Sequence, residues 1–168
     1  ESIEQAVLQG EVDLGVAILS NISKLNRFGH AVLVRSRRQL WMAPGHPLAK
    51  LASPSLKDIA QHPYIMVTAD EAERSTLAYW KSRRVQPNVV FRTMSIEAVR
   101  GLVAHGFGVS ALSDMVFRPW SLEGKRIEAR PILDGVPPME VGALWHPDGL
   151  MDTPAEALQQ FLLHVYGN

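Results

Sequence analysis

An alternation constrains this chain most: short, branched apolar runs bounded by turn residues exchange places with amphipathic helical stretches along most of its length. Residues 2–9 read as a helix, with Ser2 and Gln5 at capping-box spacing and Ile3, Ala6 and Val7 on one face. Residues 12–19 follow as a nearly continuous apolar run, the pattern of a strand covered on both faces. Residues 30–34 and 39–43 read as two strands joined by the polar turn Arg35-Ser36-Arg37-Arg38, and Pro44-Gly45-His46-Pro47 closes the second. A short capped helix at 55–60 precedes a second buried strand, 64–67, which opens onto Thr68-Ala69-Asp70.

The spacing then predicts a helix over 73–84, with Leu77 and Trp80 as packing residues, and a strand over 89–93. Ser95 caps a helix running to about His105, whose apolar stripe is Ile96, Val99 and Val103. Gly106-Phe107-Gly108 ends that helix and leads into a strand over 109–112, and 127–132 and 139–145 read as further strands. Thr153-Pro154-Ala155-Glu156 opens a last helix with Leu158, Phe161, Leu162 and Val165 as its core face. Strands alternating with helices predict an α/β fold with largely parallel sheets.

Composition narrows the function. The 168 residues carry 17 basic and 17 acidic side chains, so the chain lacks the clustered positive charge that phosphate binding needs. With 46% apolar residues it has a core to fill and does not resemble a disordered chain. There is no Cys, which removes disulfides, thiolate nucleophiles and Cys-based zinc sites and fits a reduced, cytoplasmic setting. No apolar run approaches the roughly 20 residues that span a bilayer. Glu1-Ser2-Ile3-Glu4 has no signal-peptide layout.

The search for chemistry finds no catalytic set. No two of the six His share the helical spacing of a zinc-protease motif, and no metal or cofactor is expected. Gly106-Phe107-Gly108 follows a helix and enters a strand, the reverse of a dinucleotide-binding turn, and reads as a helix cap. No nucleophile elbow or phosphate-binding Walker loop occurs. The basic clusters Arg35, Arg37, Arg38 and Lys81, Arg83, Arg84 read as solvated surface, the second at a helix C-terminus where cations suit the dipole. What remains is a set of small polar positions just beyond apolar strands: Ser20 and Asn21, Thr68 and Ala69, and Ser95 at a helix start. Ligands of open α/β sheets bind outside the carboxyl ends of strands, and helix N-termini suit carboxylates or phosphates. Ser95 is open to two readings, a cap alone or a cap that also touches a ligand.

Several segments occur in a familiar order. Residues 4–16, Glu4-Gln5-Ala6-Val7-Leu8-Gln9-Gly10-Glu11-Val12-Asp13-Leu14-Gly15-Val16, form a helix leading to a Gly-x-x-Asp-Leu strand. Pro44-Gly45-His46-Pro47-Leu48-Ala49, Ser55-Leu56-Lys57-Asp58-Ile59 and the helix–Gly-x-Gly–strand segment 95–109 follow. Together these resemble the effector-binding domain of LysR-type transcriptional regulators over nearly all of the chain. The resemblance implies an α/β fold of the periplasmic-binding-protein type II kind, two lobes with mixed, mostly parallel sheets joined by crossover strands. The crossings are expected near 68–71 and 144–146, giving lobe one as 1–69 plus 146–168 and lobe two as 70–145. A small inducer, a carboxylate by family analogy, would sit between the lobes near Ser20, Asn21, Thr68, Ala69, Ser95 and Ser110.

The same resemblance implies a homodimer, or a tetramer in the full-length form. It would pair the opening helix of one chain with residues 95–105 of another through Ile3, Val7, Ile96, Val99, Arg100 and Val103. The family's winged helix-turn-helix and the first strand of lobe one are absent from this sequence. DNA contact is therefore expected only through that N-terminal domain, and no membrane contact. A solute-binding protein of a transport system is the alternative, and an enzyme is not expected.

Overall fold

The computed structural model describes residues 2–149 and 151–166. In chain order the first elements are α1 (Ile3–Leu8), β1 (Leu14–Ile18), β2 (Gly29–Ser36), β3 (Arg38–Met42), α2 (Leu56–Ile59) and β4 (Pro63–Val67). They are followed by α3 (Ala72–Ser82), β5 (Asn88–Thr93), α4 (Ile96–Ala104), β6 (Ser110–Ser113), β7 (Glu128–Pro131), β8 (Met139–Trp145) and α5 (Thr153–Tyr166). The chain divides into two compact units, residues 1–35 with 139–168 and residues 36–138.

In the first unit β8 lies between β1 and β2, and β1 pairs with it antiparallel, Leu14 opposite Trp145 and Ile18 opposite Val141. Ser2 caps α1 by accepting the Gln5 N–H at 3.3 Å. The core of this unit is Val7, Leu19, Phe28 and Leu144. The cap of α5 is Asp152, whose carboxylate accepts the Ala155 N–H at 2.9 Å, rather than Thr153. That helix contributes no buried side chain: Leu158, Phe161 and Val165, the expected core face, are exposed, and Leu162 is half-buried.

In the second unit β3 is central, antiparallel to both β6 and β7, while β4 and β5 form a parallel pair. Large side chains fill it. One cluster gathers Leu40, Met42, Leu56, Ile59, Tyr64, Met66, Tyr79 and Trp80 around α2 and α3. Another gathers Trp41, Ile65, Val67, Val99, Val103 and Ile127 beneath α4. A capping box at Ser55 and Asp58 starts α2, as the spacing predicts. Trp80 packs inside, but Leu77, its expected companion one turn earlier, is exposed at 39%.

Three expectations change. The sheets are mixed, but the parallel share is smaller than the alternation suggests: β1, which reads as covered on both faces, exposes Val16 and pairs antiparallel. β2 and β3 are not a hairpin, since β2 belongs with β8 and β3 with β6 and β7. The turn at Arg35–Arg38 is therefore where the chain leaves the first unit, and Pro138–Met139 is where it returns. The boundaries expected near 68–71 and 144–146 lie too far along. Treating β2 and β3 as partners kept residues 36–69 in the wrong unit, and strand pairing between distant segments has no local signature to prevent it.

Candidate functional site

Parallel strands bring the residues that follow them to one end of the sheet. β4 and β5 run in parallel register from Pro63 opposite Asn88 to Val67 opposite Thr93, with a shift between Tyr64 and Ile65. Beyond Val67, the Thr68 N–H donates to the Thr93 carbonyl at 2.9 Å. Thr93 Oγ1 accepts the Ser95 N–H at 3.1 Å, and Ser95 Oγ accepts the Ala98 N–H at 3.1 Å. Thr68, Thr93 and Ser95 thus form one polar corner at the carboxyl ends of two strands and the start of α4. Thr93 was not singled out from the sequence. Its signal is its place as the last residue of β5, two before an expected cap.

The backbone after Thr68 is unusual. Asp70 (φ 46°) and Glu71 (φ 56°) are both left-handed in a short 3-10 turn, Ala69–Glu71. For residues with side chains this conformation costs about 1–2 kcal/mol each, so packing nearby must hold it. Ala69 supplies part of that packing, against the cluster beneath α4, and Glu71 forms an ion pair with Arg74 at 2.6 Å. An α-helix leaves the N–H groups of its first turn without intrahelical acceptors. At α4 the Ser95 side chain takes that of Ala98, and the rest of the turn suits an oxyanion.

Ser20 and Asn21 stand together in the first unit, in the 3-10 turn Leu19–Asn21 after β1. Ser20 Oγ accepts the Glu140 N–H at 3.3 Å, which ties that turn to β8, and Asn21 is buried. Ser110, also expected near the ligand, lies inside the second unit. It is 1% exposed and its hydroxyl donates to the Ile65 carbonyl at 2.8 Å, stitching β6 to β4.

The residues expected at a dimer interface separate into two groups. Val7, Val99 and Val103 are fully buried in the cores of their own units and cannot face a partner. Arg100 is 6% exposed, donates to the Val116 carbonyl at 2.8 Å, pairs with Glu97, and lies 5.9 Å from the Trp41 ring centroid. Each covers its own sheet. Ile3 is 47% exposed and Ile96 is half-buried.

One titratable pair lies outside this corner. His46 and His62 meet edge to face, ring centroids 4.7 Å apart, and His46 Nδ1 accepts the Leu48 N–H at 3.2 Å. Burial, and then the neighbouring His62 charge, hold the His46 pKa below its usual value. Among the described residues no three His, Asp or Glu side chains converge in a way that could hold a metal ion. No helix among them is long and apolar enough to cross a membrane.

The profile of the LysR substrate binding domain matches residues 1–167. An uncharacterised HTH-type transcriptional regulator of Bacillus subtilis, YybE, is 26% identical over 152 residues, which cover 90% of this chain and 51% of that protein. The chain thus spans about half the length of the curated relatives it matches. Among solved structures, HinK, a LysR family transcriptional regulator from Pseudomonas aeruginosa, superposes with a TM-score of 0.83 at 22% identity, covering 98% of this chain and 56% of that one. The effector binding domain of QuiR in complex with shikimate superposes with a TM-score of 0.81 at 19% identity, covering 98% and 77%. The α/β arrangement is the type II periplasmic-binding-protein-like fold. The chain belongs to the LysR substrate-binding domain family.

Proposed function

We propose that this chain is the sensing part of a cytoplasmic LysR-type regulator and that its inducer is a small organic acid. The observation that carries the reading is the corner of Thr68, Thr93 and Ser95 at the carboxyl ends of β4 and β5, with the first turn of α4 beside it. Hydroxyl groups and first-turn N–H groups are hydrogen-bonding partners for a carboxylate, and the helix dipole adds attraction. Ser20, Asn21 and Ala69 complete the proposed contacts. That a related effector domain holds shikimate, itself a carboxylate, supports the class of ligand.

The proposed work is conformational and involves no turnover. An acid that binds one arrangement of the chain more tightly shifts the population toward it by that difference in affinity. DNA would be reached only through an N-terminal domain outside this sequence. Pairing of two copies would use α1 and α4, through Ile3 and Ile96 among the residues expected there.

A thermal-shift screen of small organic acids tests this, run on the chain and on the complete regulatory region, with reporter assays on the uncleaved regulator. At least one carboxylate should raise the melting temperature, and Ser95→Ala should weaken its binding about tenfold, the loss of one or two hydrogen bonds to a charged group. The reading fails if no carboxylate stabilises either protein and the regulator ignores all of them.

A further inference from the structure

We infer that the second unit carries a separate binding groove for an amphiphilic carboxylate, between the C-terminal end of α3 and β5. The groove encloses about 690 Å³, within the range of small-molecule sites. Its apolar lining is Leu77, Trp80, Val85, Pro87 and Val89, and its cations are Lys81, Arg84 and Arg92.

The local sequence builds this shape. α3 ends at Ser82, and the Val85 N–H returns to the Trp80 carbonyl at 3.2 Å. Arg84 is left-handed at φ 55°, which turns the chain sharply toward β5. Pro87 then leads into β5 beside the apolar wall. The turn thereby places two cations, Lys81 and Arg84, at the rim of a concave apolar surface.

Charge decides the ligand class. No carboxylate lines the groove. Among the described residues neither Lys81 nor Arg84 has an ion pair or side-chain hydrogen bond, and Arg92 has one, to Glu73 at 2.9 Å. Complementing the negative end of α3 accounts for cations at this helix end, but not for a hollow of apolar side chains beneath them. A ligand with one carboxylate and a hydrocarbon or aromatic body answers both: the body covers apolar area and the anion meets the cations.

Octanoate and benzoate are the probes, with n-octanol as the uncharged control, titrated into the 15N-labelled chain and followed by amide shifts. The expected result is saturable shifts over residues 77–89 with octanoate or benzoate, at least tenfold weaker binding of n-octanol, and at least tenfold weaker carboxylate binding by K81Q/R84Q. Both side chains are exposed, and an unchanged spectrum away from the groove establishes that the variant is folded. Ser95→Ala should leave these shifts in place, which separates this groove from the proposed inducer site. Absence of shifts at 77–89 with both acids, equal binding of n-octanol, or binding unaffected by K81Q/R84Q would overturn the inference; so would shifts that vanish with Ser95→Ala.

Discussion

The two units spend their apolar residues differently. The second buries Trp41, Trp80, Tyr64 and a set of Leu, Ile and Met side chains in two clusters around its strands. The first relies on Val7, Leu19, Phe28 and Leu144, while α5 turns Leu158, Phe161 and Val165 outward. Each buried Val, Leu or Phe contributes about 1.5–3 kcal/mol relative to exposure, so the first unit has the smaller local reserve. Local opening free energies follow the density of buried apolar contacts. The first unit should therefore open at a lower cost than the second, and the stiff unit is the one that carries the polar corner at Thr68, Thr93 and Ser95.

The largest expected effect is in the second unit. Trp80→Ala should lower stability by about 3–5 kcal/mol, because it empties the centre of the cluster between α3 and β4. Leu144→Ala should cost about 2–5 kcal/mol and should release amide protection in the first unit while residues 36–138 stay protected. Denaturant melts with hydrogen exchange read both. Equal loss of protection in both units from Leu144→Ala would break the comparison.

Gly142→Ala comes next. A Cβ there would collide with the Ala31 carbonyl oxygen and the Leu19 side chain, and a backbone neighbour cannot turn aside. The expected cost is about 1–3 kcal/mol, read as a shifted melting midpoint. Its counterpart in the second unit is Gly108→Ala, whose Cβ would meet the Pro63 carbonyl oxygen at 2.7 Å. The two variants compare how far each unit yields to the same insult.

A smaller effect depends on pH. His46 binds its proton less readily in the folded chain than at its ordinary value of 6.5. The unfolded chain then holds more protons, so stability should fall as pH drops below about 6.5 and level off once the pH passes beneath the folded value. Burial is the larger cause and His62 the second, so His62→Gln should lessen this slope without abolishing it. Melting temperatures at about pH 7.5 and about pH 5.5 test this, and an unchanged slope in His62→Gln would contradict it. The smallest effect belongs to Phe161→Ser: at 60% exposure it should stay within about 0.5 kcal/mol, and a larger loss would mean that α5 packs inward after all.

Local features were legible in the sequence and distant pairings were not. The caps at Ser2, Ser55 and Ser95 follow from side-chain chemistry within three residues, and all three form. Thr68 and Ser95 were found because each stands just after an apolar segment, and the parallel pairing of β4 and β5 brings them together. Ser110 entered only through the resemblance, and nothing local in the sequence shows that its hydroxyl donates to the Ile65 carbonyl. The stripe of Val99 and Val103 is real, but a helical period shows only that one face is apolar, not which surface it meets. The Arg35–Arg38 turn has the composition of a hairpin, and only the partners of β2 and β3 reveal that it joins two units.

The most direct test of the account is an amide-shift map of the chain with the carboxylate that stabilises it most in the thermal screen. The account predicts shifts concentrated at Thr68, Ala69, Thr93 and the first turn of α4, together with Ser20 and Asn21. A tight-binding acid that leaves all of those amides unmoved would contradict it.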